Sequence, residues 1–129
     1  MTAPLTPDEL DAEVRALDLD RFGHAEAWDL GNLIMDLAQQ RDLSLSAAIW
    51  LGEQRVFHVA RAGTSADNDG WMQRKCAVVR RYDAPSIVVA ARWRAHGITT
   101  PEPWLGLDPA VHALAGGGVP VRVHGSTVG

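Results

Sequence analysis

The stretch "LSLSAAIWLGEQRVFHVARAG", Leu43 to Gly63, decides the fold. Leu43, Leu45, Ala47, Ile49 and Leu51 alternate with Ser44, Ser46, Ala48 and Trp50, which is the two-residue period of a strand. "EQRVFHVARAG" is a second strand, and Gly52 with Glu53 and Gln54 makes the turn between them. The pair reads as an antiparallel hairpin.

Outward from the hairpin the period changes. "GTSADNDGWMQRK", Gly63 to Lys75, opens a helix that runs to about Arg81, ahead of the break at Pro85. Thr64 to Asp67 fit the [ST]-x-x-[DE] capping pattern, with Thr64 as cap and Asp67 in the first turn, where its charge suits the helix dipole. Upstream, "HAEAWDLGNLIMDLAQQRDL" places Ala27, Leu30, Leu33, Ile34, Leu37, Ala38 and Arg41 on one helical arc. "LTPDEL" is a helix start, with Thr6 as cap, Pro7 at N1, Glu9 completing a capping box and a Leu5–Leu10 staple; that helix is expected over Pro7 to Leu17. Downstream, "SIVVAARWRAHG" is read as a short helix from the Ser86 cap to Gly97. "ITTPEPWLGLDPAVHALAGGG" is a long loop with one helical turn near Asp108 to Leu114, and "VPVRVHG" is a last strand with Val119, Val121 and Val123 facing one way. This order is not βαβ alternation; it predicts an α+β layered domain with helices packed on an antiparallel sheet.

The chain has 129 residues, enough for one domain with a core of its own. A net charge of -4 argues against a nucleic-acid binder. No apolar run reaches membrane-span length, and the polar, acidic start is no leader peptide. The single Cys76 excludes an internal disulfide and a cysteine-based zinc site, so a cytoplasmic protein with a reduced thiol is expected.

The third helix carries the most chemistry. Val78, Trp71, Tyr82, Lys75, Val79, Met72 and Cys76 share one arc, with Lys75 near its middle and Asn68 on the same side. The plain reading has Lys75 snorkelling along Trp71 to solvent and Asn68 satisfying backbone groups at the helix start. The functional reading turns Asn68, Trp71 and Lys75 to a pocket, where an ammonium needs an anionic partner: a ligand carboxylate or phosphate, or a carboxylate of a neighbouring subunit. The five histidines form no ligand pair, and His58, alternating with Val56 and Ala60, reads as a surface or packing residue. "AGGGVP" lacks the setting of a phosphate loop and reads as a flexible turn, and Asp108–Pro109 as a helix cap.

With these residues in place, "FHVARAGTSADNDGWMQRKCAVV" resembles the block of the haem-degrading domain family in which an aromatic strand runs into G-T, then D-N, then W and R-K on a helix. "SIVVAARW", "WLGLDPAVHALAGGGVPVRVHG" and the second helix are similar to the same family in the same order, so the resemblance covers about Phe22 to Gly129. The branch it most resembles is the uncharacterised cytosolic one, also present in yeast. The resemblance implies a two-layer, profilin-like fold, homo-oligomers, and haem binding or haem-linked redox chemistry for some members. Two departures stand out. Relatives carry an aromatic residue at the position of Val119, and they continue beyond the last strand with another strand and a helix, which this single domain, residues 1–129, lacks. A strand edge left open in that way needs a partner.

Two functions compete. In the first, a small-ligand module binds haem or another carboxylate-bearing molecule: Thr64, Asn68, Arg74 and Lys75 surround the ligand, Lys75, Arg74 and Asn68 receiving carboxylates, Trp71 packs on its body, and His58 or His112 is the weak candidate for an iron ligand. In the second, a non-enzymatic oligomeric interaction module uses the same helix face between subunits. An enzyme with its own acid–base pair ranks third, because no nucleophile, base or metal set stands out.

Overall fold

The computed structural model describes residues 3–129 as an α+β domain of four helices and two small antiparallel hairpins. Helix α1 spans Pro7–Ala16 and begins as the sequence predicts: the Thr6 hydroxyl accepts from the Glu9 N–H at 3.2 Å, and the Thr6 N–H donates to Glu9 Oε2 at 3.0 Å. The reciprocal pair satisfies two donors that a helix start otherwise leaves open. Helix α1 lies on α4, Ser86–Arg94, where Asp11 Oδ2 accepts from Arg15 at 3.1 Å and Arg92 at 3.3 Å.

Helix α2, His24–Gln40, covers the hairpin of β1, Ser46–Leu51, and β2, Gln54–Ala60. Its buried residues are Ala27, Gly31 and Ala38, while Leu33 and Leu37 are exposed. The expected arc is therefore turned toward Gly31. The cause is Phe57: a Cβ on Gly31 would lie 2.4 Å from its ring, so only glycine lets the ring press on the helix. Trp28 meets the same ring edge-on at 5.9 Å. The turn of the hairpin uses Gly52 at φ 56, and the register slips between Ile49 and Trp50.

Helix α3, Ala66–Tyr82, lies on the other side of the hairpin, for His58, adjacent to Phe57 and pointing the opposite way, bonds Asp69 of α3. The cap is Ser65, not Thr64: the Thr64 hydroxyl donates instead to the Arg61 carbonyl at 2.7 Å. Helix α3 ends at Asp83 in the left-handed region at φ 51, and Ala84–Pro85 leads directly into α4. The core lies in this corner, with Val78, Ala84, Val88 and Val89 buried and Tyr82, Trp93 and Leu114 packed around them. "SIVVAARW" is helical, as expected, but Pro85 is its cap and Ser86 its first residue.

After a 3-10 turn at Pro103–Leu105 and a turn at Asp108, where the carboxylate accepts from the Ala110 N–H at 2.8 Å, the chain returns to a short hairpin. Strand β3, Arg122–Val123, pairs with β4, Ser126–Thr127, around His124 at φ 50 and Gly125 at φ 81. The expected strand from Val119 to Val123 is shortened, because Pro120 has no N–H to give a ladder. Pro120 and Arg122 are buried and Val119 is exposed, because Arg122 is drawn inward by Asp83.

Candidate functional site

The outer edge of β1, the sides of α2 and α3, and the segment Gly117–Val121 enclose a cleft of about 420 Å³. This falls in the range of small-molecule sites, roughly 300–1,000 Å³. Leu30 and Ile34 line it from α2, Met72, Lys75, Cys76 and Val79 from α3, Ile49 and Trp50 from β1, and Val119 and Val121 from the closing segment. The lining is apolar apart from a few backbone groups, Ser46, the Cys76 thiol and two cations. One cation is engaged: Arg80 donates to the Gly52 carbonyl at 3.0 Å and lies 5.9 Å from the Trp50 ring. Lys75 makes no hydrogen bond or ion pair among the described residues.

The position of Lys75 depends on the glycine run. A Cβ on Gly117 would stand 3.1 Å from Nζ, so the ammonium rests against bare backbone, and Gly117 has φ 127, which favours glycine. Gly118 is fastened to the start of α4: its N–H donates to Ser86 Oγ at 2.8 Å and its carbonyl accepts from the Ser86 N–H at 2.9 Å. "AGGGVP" is thus an anchored wall and not the flexible turn read from sequence.

Of the five candidate ligand-binding residues, Lys75 lines the cleft and the other four do not. Thr64 is turned to Arg61, as described. Asn68 sits at the third position of α3, where its Oδ1 accepts from the Ser65 N–H at 3.0 Å, so its polarity serves the helix start. Trp71 is 41% exposed, with the Arg74 guanidinium 4.2 Å over its ring; Arg74 Nε also donates to the Gly70 carbonyl at 3.3 Å. The two candidate histidines lie elsewhere. His58 Nε2 is 2.8 Å from Asp69 Oδ1, and His112 Nδ1 accepts from the Asp108 N–H at 3.0 Å. Among the described residues no three His, Cys, Asp or Glu side chains are grouped to hold a metal ion, and no helix is long and apolar enough to cross a membrane.

Sequence reasoning missed three groups. Cys76 lines the cleft one helical turn after Met72, and burial raises its thiol pKa, which Arg80 only partly offsets. The Ser46 hydroxyl is buried without a partner among the described residues. Arg122 is 4% exposed, lies 3.3 Å from Asp83 Oδ1 and donates to the Asp83 carbonyl. The Asp83 carboxyl is held below its usual range first by the Thr127 hydroxyl, which donates to it, and then by Arg122 and Arg15. An arginine in an alternating valine run gives no sign of burial, so nothing in the sequence pointed to this node.

The comparisons agree on the relationship. The model of the family described as "Haem degrading protein HbpS-like" matches residues 22–129. A UPF0303 protein of Streptomyces avermitilis is 42% identical over 125 residues, which is 97% of this chain and 76% of that one. Another from Streptomyces coelicolor is 42% identical over 126 residues, 96% of this chain and 79% of that one. The crystal structure of the yeast protein Ybr137w is similar with a TM-score of 0.78 and 25% identity, over 95% of this chain and 72% of that one. The helices, the hairpins and the cleft between them are therefore those of a member of the HbpS-like haem-degrading family, to which this chain belongs.

Proposed function

We propose that the cleft binds a ligand with an apolar body and a carboxylate, and that the carboxylate meets Lys75. The observation that carries this is one free ammonium on the wall of a largely apolar cavity. A cation in such a place is stabilised by an anionic partner, and the described residues around it offer none.

Haem is the first ligand to test, since the family is haem-related. The apolar walls suit a porphyrin body and Lys75 suits a propionate. For the iron, the donors on the cleft wall are the Met72 thioether and the Cys76 thiol, both of kinds known to ligate haem, while His58 and His112 are bonded elsewhere. Haem supplies redox-active iron when bound; this chain's part is to orient it through Lys75 and to exclude water with Leu30, Ile34 and Val79. A haemin absorbance titration of the parent and of Lys75→Met tests the reading. Saturable binding that weakens in the variant supports it, and equal binding by both overturns it.

A second reading, a homo-oligomeric interaction module, is favoured by exposed apolar side chains: Trp104 at 74%, Val119 at 56% and Leu33 at 55%. Mass determination in solution at micromolar concentration tests it, and a 14.0 kDa species would count against it.

A further inference from the structure

The corner where α3 turns into α4 carries a second concavity. Tyr82, Val89, Arg92, Trp93 and His96 line a hollow of about 160 Å³. None of them borders the cleft of Lys75, and none belongs to the tail at Gly129. Val89, Arg92, Trp93 and His96 follow at i, i+3, i+4 and i+7 along α4 and the turn after it, so they share one face. The rings form an edge-to-face row, with Tyr82 and Trp93 at 6.5 Å and Trp93 and His96 at 6.3 Å between centroids. The hollow is smaller than the roughly 300–1,000 Å³ of a small-molecule site. It has the room of about five waters at ~30 Å³ each, which is the scale of one large side chain.

A side chain of that size stands beside it. Trp104 is 74% exposed, the highest value among the large apolar side chains of the described residues. Its turn is nevertheless fixed. Arg81 donates to the Gly106 carbonyl at 2.6 Å and to the Leu105 carbonyl at 3.0 Å, and Leu107 just beyond is buried. The same guanidinium lies 5.6 Å from the Tyr82 ring, so Trp104 and the hollow flank one arginine. Trp104 does not line the hollow of its own chain. The charges around the two features are opposite: Arg92, Arg94 and His96 surround the hollow, and Glu102 stands at the turn. Neither Arg94 nor Glu102 has an ion pair among the described residues.

We infer that Trp104 of one copy of this chain enters the hollow of a second copy, and that a two-fold axis near Arg81 lets each indole fill the other copy's hollow. A projection and a recess on the same face close on themselves in a pair, whereas on opposite faces they would chain head to tail. The indole packs against the rings of Tyr82 and Trp93 and meets the Arg92 guanidinium with its face, while Glu102 is brought to Arg92 and Arg94. An aromatic side chain buries about 150–250 Å², so two insertions stay below the ~1,200 Å² of a stable complex and give a weak, concentration-dependent contact. The inference rests on the homo-oligomer reading, for which it names the residues, and is independent of Lys75.

Sedimentation velocity from low to high micromolar concentration tests it on the parent, on Trp104→Ala, on His96→Trp, which fills the hollow with an indole of its own, and on a mixture of the two variants. The parent is expected to associate with rising concentration. Each variant alone is expected to need at least tenfold higher concentration for the same step, because a central aromatic anchor is lost or shut out. In the mixture one copy supplies Trp104 and the other the open hollow, so association is expected to exceed that of either variant alone. Should His96→Trp not fold, Trp104→Ala decides, since that position is exposed. A parent that associates, with Trp104→Ala matching it, overturns this contact and leaves the homo-oligomer reading standing. A mixture no better than its components overturns the pairing of Trp104 with the hollow. A parent that stays at 14.0 kDa throughout overturns both.

Discussion

Gly118→Ala tests the wall that positions Lys75. A Cβ at this position would lie 2.8 Å from Val79 Cγ2, 3.2 Å from the Lys75 carbonyl oxygen and 3.2 Å from Ser86 Oγ. Carbon pairs prefer about 3.5–4.0 Å, so the first contact is too close by nearly 1 Å. None of the three neighbours yields easily. Val79 is β-branched and held in one rotamer by its helix, the Lys75 carbonyl belongs to α3, and Ser86 Oγ is bonded to Gly118 itself. Overpacking of this kind costs about 1–3 kcal/mol, and loss of the Gly118–Ser86 bond adds about 1 kcal/mol. Replacing glycine returns about 0.4–1 kcal/mol through the unfolded chain. The net loss is about 1–3.6 kcal/mol, read as a shift in the urea midpoint at constant slope and a fall in Tm of several degrees. Ser86→Ala, which removes only the hydroxyl, is expected to lose about 1 kcal/mol. A Gly118→Ala protein within about 0.5 kcal/mol of the parent would refute the close packing on which the placement of Lys75 depends.

Three further outcomes are expected. Asp83 has a carboxyl held below 3.8 in the folded chain, so its contribution is complete above that value and is lost as pH falls through the lower folded value. Asp83→Asn, which keeps a residue tolerant of the left-handed backbone, should flatten the acid limb of a stability–pH curve; because the side chain is half exposed, the difference stays below about 1 kcal/mol, and an unchanged acid limb would contradict the role. Cys76 should react with iodoacetamide more slowly than a free thiol at the same pH, since burial holds it protonated, and its rate should still be climbing with pH where that of a free thiol levels off; free-thiol rates at pH 8 would show that the cleft is open to solvent there. Thr6→Ala should cost about 1 kcal/mol in denaturant melts through loss of the capping box, and no loss would mean that α1 frays in solution.

Much of the fold was legible because local chemistry repeats itself. The Thr6–Pro7–Glu9 start, the Leu43 to Gly63 hairpin and the helix after Gly63 each follow from period and capping; the helix bounds came out within a residue or two, and the paired strands are shorter than read, Ser46–Leu51 and Gln54–Ala60. What was not legible depends on contacts between distant residues. Gly31 faces the core because Phe57 needs the space, a pairing that no pattern along α2 reveals. Arg122 is buried because Asp83, far away in sequence, ends a helix next to it. In the candidate site, the helical wheel grouped Lys75 with Asn68 and Trp71, and of the three Lys75 alone lines the cleft. Asn68 is used by the helix start and Trp71 is covered by Arg74, so neighbours on a wheel part company once capping and stacking claim their side chains. The glycine run was misread because glycines that permit close packing look, in sequence, like glycines that permit flexibility.

The most direct measurement of the central claim is haemin binding by Lys75→Met, followed by absorbance at neutral pH beside a urea melt of the same sample. A hydrogen bond to a charged group contributes about 1.5–3 kcal/mol, so the account predicts roughly tenfold or greater loss of affinity with stability within about 0.5 kcal/mol of the parent. Haemin bound with the same affinity by parent and variant, both folded, would contradict the claim that Lys75 receives a carboxylate in this cleft.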